Sequence, residues 1–423
     1  MKSTPDQLAQ RLASELGPDA VSFDASRIAA HEVDGNQPAL VCTPDQERAG
    51  AALRLCAEAD ASIIPWGGGT AMAVGNPPRH LDVVLDTGRL NRVLDHDHAN
   101  LTVTAESGIG LAPLQQPLAA QRQFVPLDPP LPDRSTIGGI VAANLNGLRR
   151  SCYGSLRDLV IGVKVALISG EQIKAGGKVV KNVAGYDMCK LFTGSLGTLG
   201  IITELTLRLA PLPESASITI ASGTLAQARQ FIGTLFHSRL LPAAVVLSND
   251  GIHNQWRVAV WNEGFEEAVA RCGRDLAALA GHAEMNAQFP GGDEHERFWQ
   301  TVRDFPLQTN RLIYRVTLPR AEIFDFVHLA QKQCDAEILT DILSGTVWLA
   351  CEPARAAVQR FSDIAALAST RRGHAVIFVA PGYLKQGCEV WGESPSAFPL
   401  MRDIKRQFDP KGLLSPGRFL GGI

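Results

Sequence analysis

An apolar run, Ser62-Ile63-Ile64, passes directly into Pro65-Trp66-Gly67-Gly68-Gly69-Thr70. A second glycine site, Ser135-Thr136-Ile137-Gly138-Gly139, follows the proline-rich stretch Leu127-Asp128-Pro129-Pro130. A third, Gly194-Ser195-Leu196-Gly197-Thr198-Leu199-Gly200-Ile201-Ile202-Thr203-Glu204, closes the set. Glycine carries no Cβ, so its backbone N–H can approach a phosphate without steric exclusion. Three such sites in one half of a chain predict a fold in which distant stretches converge on one long, phosphate-bearing ligand.

A chain of 423 residues is expected to form two or three domains. With 45% hydrophobic and 20% charged residues it has ample core material. The formal net charge of −3 argues against a nucleic-acid partner. No stretch reaches the length of a membrane helix, and the N-terminus lacks an apolar leader, so a cytoplasmic protein is expected. The eight cysteines form no Cys-x-x-Cys pair. Buried, reduced thiols are therefore expected, rather than a disulfide framework, a zinc site or a ferredoxin-type cluster.

Thr4-Pro5 predicts a helix start, with Leu8, Leu12 and Leu16 on one face, and Thr43-Pro44 predicts another. Strands are expected at 62–65, 82–86 and 101–106, then at 163–169 and 201–209. The order around 39–70 resembles a βαβ unit. Pro211 and Pro213 mark a domain boundary. Beyond them strands are expected near 216–221, 243–248, 257–261, 312–317, 346–351 and 374–380. Helices are expected at 225–236, 266–280, 321–333 and 354–368. If a short strand sits near 336–339, residues 312–380 read β-α-β-β-α-β, the pattern of an antiparallel sheet with helices on one face. Residues 290–296 read as an exposed loop, and 398–408 as a last amphipathic helix. The tail after Phe408 carries apolar anchors and is expected to pack down. The predicted division is 1–212, 213–395 and 396–423.

Gly67–Thr70 has two readings, an ordinary tight turn or a loop whose successive N–H groups face a pyrophosphate. It is not the G-x-G-x-x-G fingerprint, so a nicotinamide dinucleotide on a Rossmann unit is disfavoured. The small residues at 138, 139, 142 and 143 would let a helix start lie against a ligand, positive end toward phosphate, or pack closely against a neighbour.

Five segments occur in a characteristic order: the first loop; Asp128-Pro129-Pro130 with 135–147; Tyr153-Gly154-Ser155-Leu156-Arg157-Asp158; Lys181-Asn182-Val183-Ala184-Gly185-Tyr186-Asp187; and Gly194–Glu204. Together they resemble the FAD-linked oxidase family of the vanillyl-alcohol oxidase and p-cresol methylhydroxylase type. The wording of the first and fourth is similar to the FAD-binding subunits of its bacterial glycolate oxidase branch. The resemblance implies an α+β chain. Two α/β subdomains would form the FAD-binding domain, an antiparallel sheet with helices a cap, and the C-terminal segment would return to the FAD domain.

By the same resemblance, Gly67, Gly68, Gly69 and Thr70 would hold the FAD pyrophosphate. Ser135, Thr136, Gly138 and Gly139 would form its second wall. Asp128 and Pro129 would lie beside the ribityl chain and flavin ring. Ala142, Asn144 and Gly154 would line the isoalloxazine, and Gly197, Thr198, Gly200, Ile201 and Ile202 would meet the adenosine half. Tyr186 and Asp187 would be structural supports. Some family members bind flavin covalently through a first-loop histidine. Gly69 or Thr70 stands there in this chain, so non-covalent FAD is implied.

Relatives that oxidise 2-hydroxy acids also carry His-x-Gly-Asp-Gly-Asn-x-His, which supplies a base and metal ligands. This sequence has no such string. No metal site is expected, and no catalytic residue is assigned. Arg311 and Arg315, flanking Tyr314, could clamp a carboxylate, but solvent exposure at a strand rim is the plainer expectation. Ser415-Pro416-Gly417 replaces the family's Asn-Pro-Gly. The implied function is the FAD-binding subunit of a complex oxidising glycolate to glyoxylate. Its partners would be a second, catalytic flavoprotein subunit and an iron–sulfur subunit, in the cytoplasm or at the inner membrane through those partners. The alternatives are a self-sufficient hydroxy-acid dehydrogenase, with His374 or Tyr314 as base, and a non-catalytic assembly subunit.

Overall fold

The computed structural model describes residues 4–178, 186–249 and 255–423. Residues 181–185 of the fourth motif lie outside them. The chain divides into two compact units, 1–146 with 155–211 and 385–423, and 147–154 with 212–384.

The first unit begins with the helix Pro5–Leu16, whose capping box joins Thr4 and Gln7 and whose face Leu8, Leu12 and Leu16 is buried. Its first sheet comprises β1 (Val21–Ser22), β2 (Leu40–Cys42), β3 (Ile63–Trp66) and β4 (Val83–Asp86) in the order β1-β2-β4-β3. β4 runs parallel to both β2 and β3, so it enters between the two arms of the expected βαβ unit. The crossover helix is Ala49–Glu58 and starts at Arg48. Thr43 does not cap it; its hydroxyl and amide bond back to the Ala20 carbonyl, which closes the β1–β2 edge instead.

Chain order continues with β5 (Val93–Asp97), β6 (Thr102–Glu106), β7 (Gln123–Phe124), β8 (Val160–Ala166), β9 (Gln172–Gly176), β10 (Ile201–Arg208) and β11 (Ala210–Pro211). Five of these form an antiparallel sheet, β5-β6-β10-β8-β9, while β7 pairs with β11. The core of this half gathers Val103, Ile140, Phe192 and Leu205, with Phe408 against Phe192.

The C-terminal segment returns to the first sheet. The amide of Ile63 donates to Leu413 and that of Ser415 donates to Ile63, each at 2.8 Å, so residues 413–415 run beside β3. Buried Lys405 ties the return down. Its ammonium meets Asp409 at 2.6 Å and the carbonyls of Thr198 and Leu414 at 2.8 Å.

The second unit is built on β12 (Ser215–Gly223), β13 (Ala244–Asn249), β14 (Trp256–Gly264), β15 (Asn286–Gln288), β16 (Leu312–Thr317), β17 (Glu337–Asp341), β18 (Thr346–Cys351) and β19 (His374–Val379). They form one sheet, β15-β12-β14-β13-β17-β18-β16-β19, antiparallel at every pairing. The β-α-β-β-α-β reading of 312–380 holds, with helices Ile323–Gln333 and Phe361–Ser369. The expected loop at 290–296 is corrected. A helix spans Gly292–Asp304, because Asp293 and Glu294 suit its positive first turn while Trp299 and Val302 give it a buried face. The cysteines are free, five of them buried and Cys152 exposed.

Candidate functional site

In the first unit β3 ends at Trp66 and the chain turns through the triple glycine. The turn has a steric cause. A Cβ on Gly68 would stand 1.6 Å from the carbonyl oxygen of Arg134, and one on Gly67 would stand 2.2 Å from Thr136 Oγ1. The hydroxyls of Thr70 and Ser135 meet at 3.0 Å. The first two glycine sites are thus pressed together, Gly68 against the main chain of Arg134 and Gly67 against the side chain of Thr136. Packing against 134–136 is thus a second reason, beside close approach to a ligand, for glycine at 67 and 68. Gly69 adopts φ +71, which glycine accepts without strain.

The third site closes on the same place. Cβ atoms on Gly197 and Gly200 would lie 2.3 Å from Pro65 Cγ and 2.6 Å from Val165 Cγ1. The amides of Gly194 and Leu196 donate to Val141 and Ala142 on the helix Ile137–Ala143. Between the three lies a cleft of about 690 Å³, counting its open mouth. Gly67, Gly138, Gly139, Ala142, Gly197, Gly200, Ile201 and Ile202 line it, as do Trp66, Leu196, Ser107, Ser195, Ser415 and Arg418.

Two sets of polar groups in this region lack protein partners. Among the described residues, the amides of Gly67, Gly68, Gly69, Thr70 and Ala71 donate to no protein acceptor. The buried hydroxyls of Ser107, Ser195 and Ser415 also have none. Buried polar atoms left unmatched cost free energy, so a polar ligand is the natural complement. The helix start at 137 offers less than expected. The amides of Ile137, Gly138 and Gly139 donate to Ile109, Ser107 and the Thr136 hydroxyl, so its first turn is satisfied internally.

Other expected residues sit differently. Thr198 turns its hydroxyl to the Ser195 carbonyl. Asn144 is an exposed left-handed cap at φ +53. Asp128 and Pro129 are buried but do not line the cleft. Gly154 belongs to the second unit. Tyr186 is 92% exposed, whereas Asp187 caps the helix Met188–Phe192. In the second unit Arg311 bonds the carbonyls of Ala350 and Cys351, and Tyr314 is buried with its phenol donating to Ala357. His374 is exposed at a strand end. No group of three or more His, Cys, Asp or Glu is placed to hold a metal among the described residues. Among them, too, no helix is long and apolar enough to cross a membrane.

Ser107, Ser195 and Arg418 were not picked out from sequence. Arg418 is 4% exposed on its side chain and donates to the carbonyls of Met72, Val74 and Asn76, while Asp34 lies 3.5 Å away. Buried Lys385 donates to Asp34 at 2.7 Å and to the carbonyls of Ala73 and Gly75. Burial pushes its ammonium from 10.5 down to about 8. Two cations and one carboxylate therefore fasten residues 72–76, the continuation of the first loop.

Comparison with known proteins places this geometry. Residues 38–176 match the model described as "FAD binding domain", and 382–419 match "FAD linked oxidases, C-terminal domain". The glycolate oxidase subunit GlcE of Escherichia coli (strain K12) is 30% identical over 77% of this chain and 84% of its own length. The chain belongs to the FAD-linked oxidase family. The glycolate oxidase subunit GlcD of Bacillus subtilis (strain 168) is 27% identical over 96% of this chain and 93% of its own. The mitochondrial D-2-hydroxyglutarate dehydrogenase of Bos taurus is 25% identical over 87% and 74%. Among solved structures, p-cresol methylhydroxylase superposes with a TM-score of 0.77 at 15% identity, covering 98% of this chain and 96% of that one. As an FAD-linked oxidase, the chain is an oxidoreductase whose cofactor is FAD. The resemblance drawn from the glycine motifs is thereby borne out, as is the overall α+β architecture.

Proposed function

We propose that this FAD-linked oxidase is the FAD-binding subunit of a glycolate oxidase complex, oxidising glycolate to glyoxylate with its catalytic base on a partner subunit. The relation to GlcE, continuous over most of both chains, carries this reading. The missing His-x-Gly-Asp-Gly-Asn-x-His string supports placing the base elsewhere. The partners would be a second flavoprotein subunit and an iron–sulfur subunit.

The cleft fits FAD. Gly67, Gly68, Gly69 and Thr70 would offer their unpaired amides to the diphosphate, and Ser107, Ser195 and Ser415 their hydroxyls to its polar edges. Gly138, Gly139, Ala142, Gly197, Gly200, Ile201 and Ile202 would form close apolar walls. Bound FAD supplies a two-electron acceptor for the substrate hydride. The first loop holds no histidine, so denaturing the loaded protein is expected to release all its flavin into the supernatant. Flavin that stays with the precipitate would contradict non-covalent binding.

Ser107→Ala and Ser195→Ala are each expected to weaken FAD binding by about 1 kcal/mol, roughly fivefold. Neither should lower the melting temperature of the FAD-free protein, because neither hydroxyl has a protein partner to lose. Flavin titration and apo-protein melting test both halves.

The relation to the D-2-hydroxyglutarate dehydrogenase supports a second reading, a hydroxy-acid dehydrogenase complete in one chain. Anaerobic glycolate decides between them. Flavin that bleaches in the isolated chain favours the second reading. Flavin that bleaches only with partner subunits present favours the first.

A further inference from the structure

Two buried cysteines converge within the second unit. Cys351 ends β18, and Cys334 directly follows the helix Ile323–Gln333. Strands β17 and β18 pair with Glu337 opposite Ala350, so the register carried one step further sets Ala336 opposite Cys351. Opposed residues of a sheet share a face. Cys334 is extended, at φ −134 and ψ 136, and stands two residues before Ala336, which returns its side chain to that face. The two cysteines are thus diagonal neighbours, within reach of each other. They touch: the Cys351 thiol donates to the Cys334 sulfur, and the Cys334 thiol donates to the Ala330 carbonyl at 3.1 Å.

The pair is buried but not sealed. Each residue is 4% exposed. A groove of about 980 Å³, counting its open side, lies against the helices Ile323–Gln333 and Phe361–Ser369. Gln333, Cys334, Arg360, Ile364, Leu367 and Thr370 line it, and Cys351 does not. The groove therefore reaches one sulfur of the two. That sulfur is also the better nucleophile. The hydrogen bond from Cys351 holds the Cys334 thiol below its ordinary 9.0, against the effect of burial and with help from Arg360. The same bond, with burial, pushes Cys351 well up. A thiolate attacks where a thiol does not, and a neighbouring thiol can resolve the product.

We propose that Cys334 and Cys351 form a reversible oxidation site, with Cys334 attacking a hydroperoxide that enters the groove and Cys351 resolving it to a disulfide. In the first step the Cys334 sulfur bonds to the outer peroxide oxygen and the O–O bond breaks. The departing oxygen leaves as an alcohol, or as water from hydrogen peroxide, and takes the Cys334 proton. Cys334 is then a sulfenic acid. In the second step the Cys351 sulfur attacks the Cys334 sulfur and the S–O bond breaks. Hydroxide leaves with the Cys351 proton as water. The two thiols lose two electrons and the peroxide gains them. The disulfide ties the end of the helix Ile323–Gln333 to β18, and an external thiol reverses it by exchange. All its residues belong to the second unit, so the site does not rest on the glycolate reading.

The test exposes the full-length, FAD-loaded chain to a small molar excess of hydrogen peroxide. Remaining thiols are then alkylated, and a non-reducing digest is read by mass spectrometry. Wild type is expected to yield a linked Cys334–Cys351 peptide that dithiothreitol separates. Cys351→Ser should stop at the sulfenic acid, trapped by dimedone on Cys334, and Cys334→Ser should give no link. Cys334 should react at least about tenfold faster than exposed Cys152, whose thiol is pushed up by partial desolvation and by Glu263. Wild type that keeps both thiols free, or that oxidises Cys152 first, overturns the assignment. So does a folded Cys351→Ser protein without a dimedone adduct at Cys334. The wild-type result decides alone should a serine variant fail to fold.

Discussion

Gly68→Ala is expected to weaken FAD binding roughly hundredfold, so that the protein purifies largely without flavin. The added methyl would lie 1.6 Å from the Arg134 carbonyl oxygen and 2.8 Å from its carbon. Both atoms are backbone, so no side chain can swing aside. Residues 67–70 must then part from 134–136, and the five unpaired amides lose their common orientation. Overpacking of this kind costs about 3 kcal/mol, which as lost affinity is roughly hundredfold. The ratio of flavin to protein absorbance after purification, followed by titration with added FAD, measures it. Gly273→Ala is the control. It lies in the helix Glu266–His282 with nothing within 4 Å of its would-be Cβ. That change should leave FAD occupancy untouched and raise stability slightly, because alanine is the better helix former. Normal occupancy in Gly68→Ala would mean that the two loops do not set the site.

Asp34→Ala should be the most destabilising single change near the cleft. It removes the one carboxylate that, among the described residues, serves Lys385 and Arg418, whose side chains are 1% and 4% exposed. Leaving a buried charge without its partner costs about 3–5 kcal/mol, or roughly 10 °C in melting temperature for a unit of this size. The defect should depend on pH in a definite direction. The folded pKa of Lys385 already lies below its ordinary 10.5, at about 8, and loss of Asp34 lowers it further. Where folded Lys385 has released its proton and the unfolded chain has not, the unfolded state binds more protons, and stability rises with pH. The variant's deficit should therefore shrink as pH climbs through neutral to about 8, above which folded wild type also sheds the Lys385 proton and the two stabilities rise in parallel. Lys385→Met in the Asp34→Ala background should restore part of the stability, since it removes one stranded cation. A deficit that stays flat with pH, or no rescue in the double variant, would show that the three charges do not act as a unit.

The elements were largely legible because their periodicities are local. Leu8, Leu12 and Leu16 announce a helix face, and the β-α-β-β-α-β rhythm of 312–380 announces its sheet. Misses arose where a local signal had a competitor. Thr43-Pro44 resembles a helix start, but Thr43 is spent on the Ala20 carbonyl. Gly291-Gly292 resembles a loop, but the acidic first turn and the buried Trp299 carry a helix through it.

The glycines at 67, 68, 138, 197 and 200 are written in the chain, and with them the family and its cofactor. A bare backbone position is a property of one residue and can be read from it. What each glycine is pressed against is a property of two distant stretches. Only the folded molecule pairs Gly68 with Arg134 and Gly197 with Pro65. The same holds for charge and polarity. No local pattern marks Ser107 and Ser195 as unmatched, Asp34 as the counter-ion of residues some 350 positions away, or Arg315 as a cation stacked on Phe378. Hydrogen bonding and ion pairing depend on which groups share a dry environment, and that is decided by tertiary packing alone.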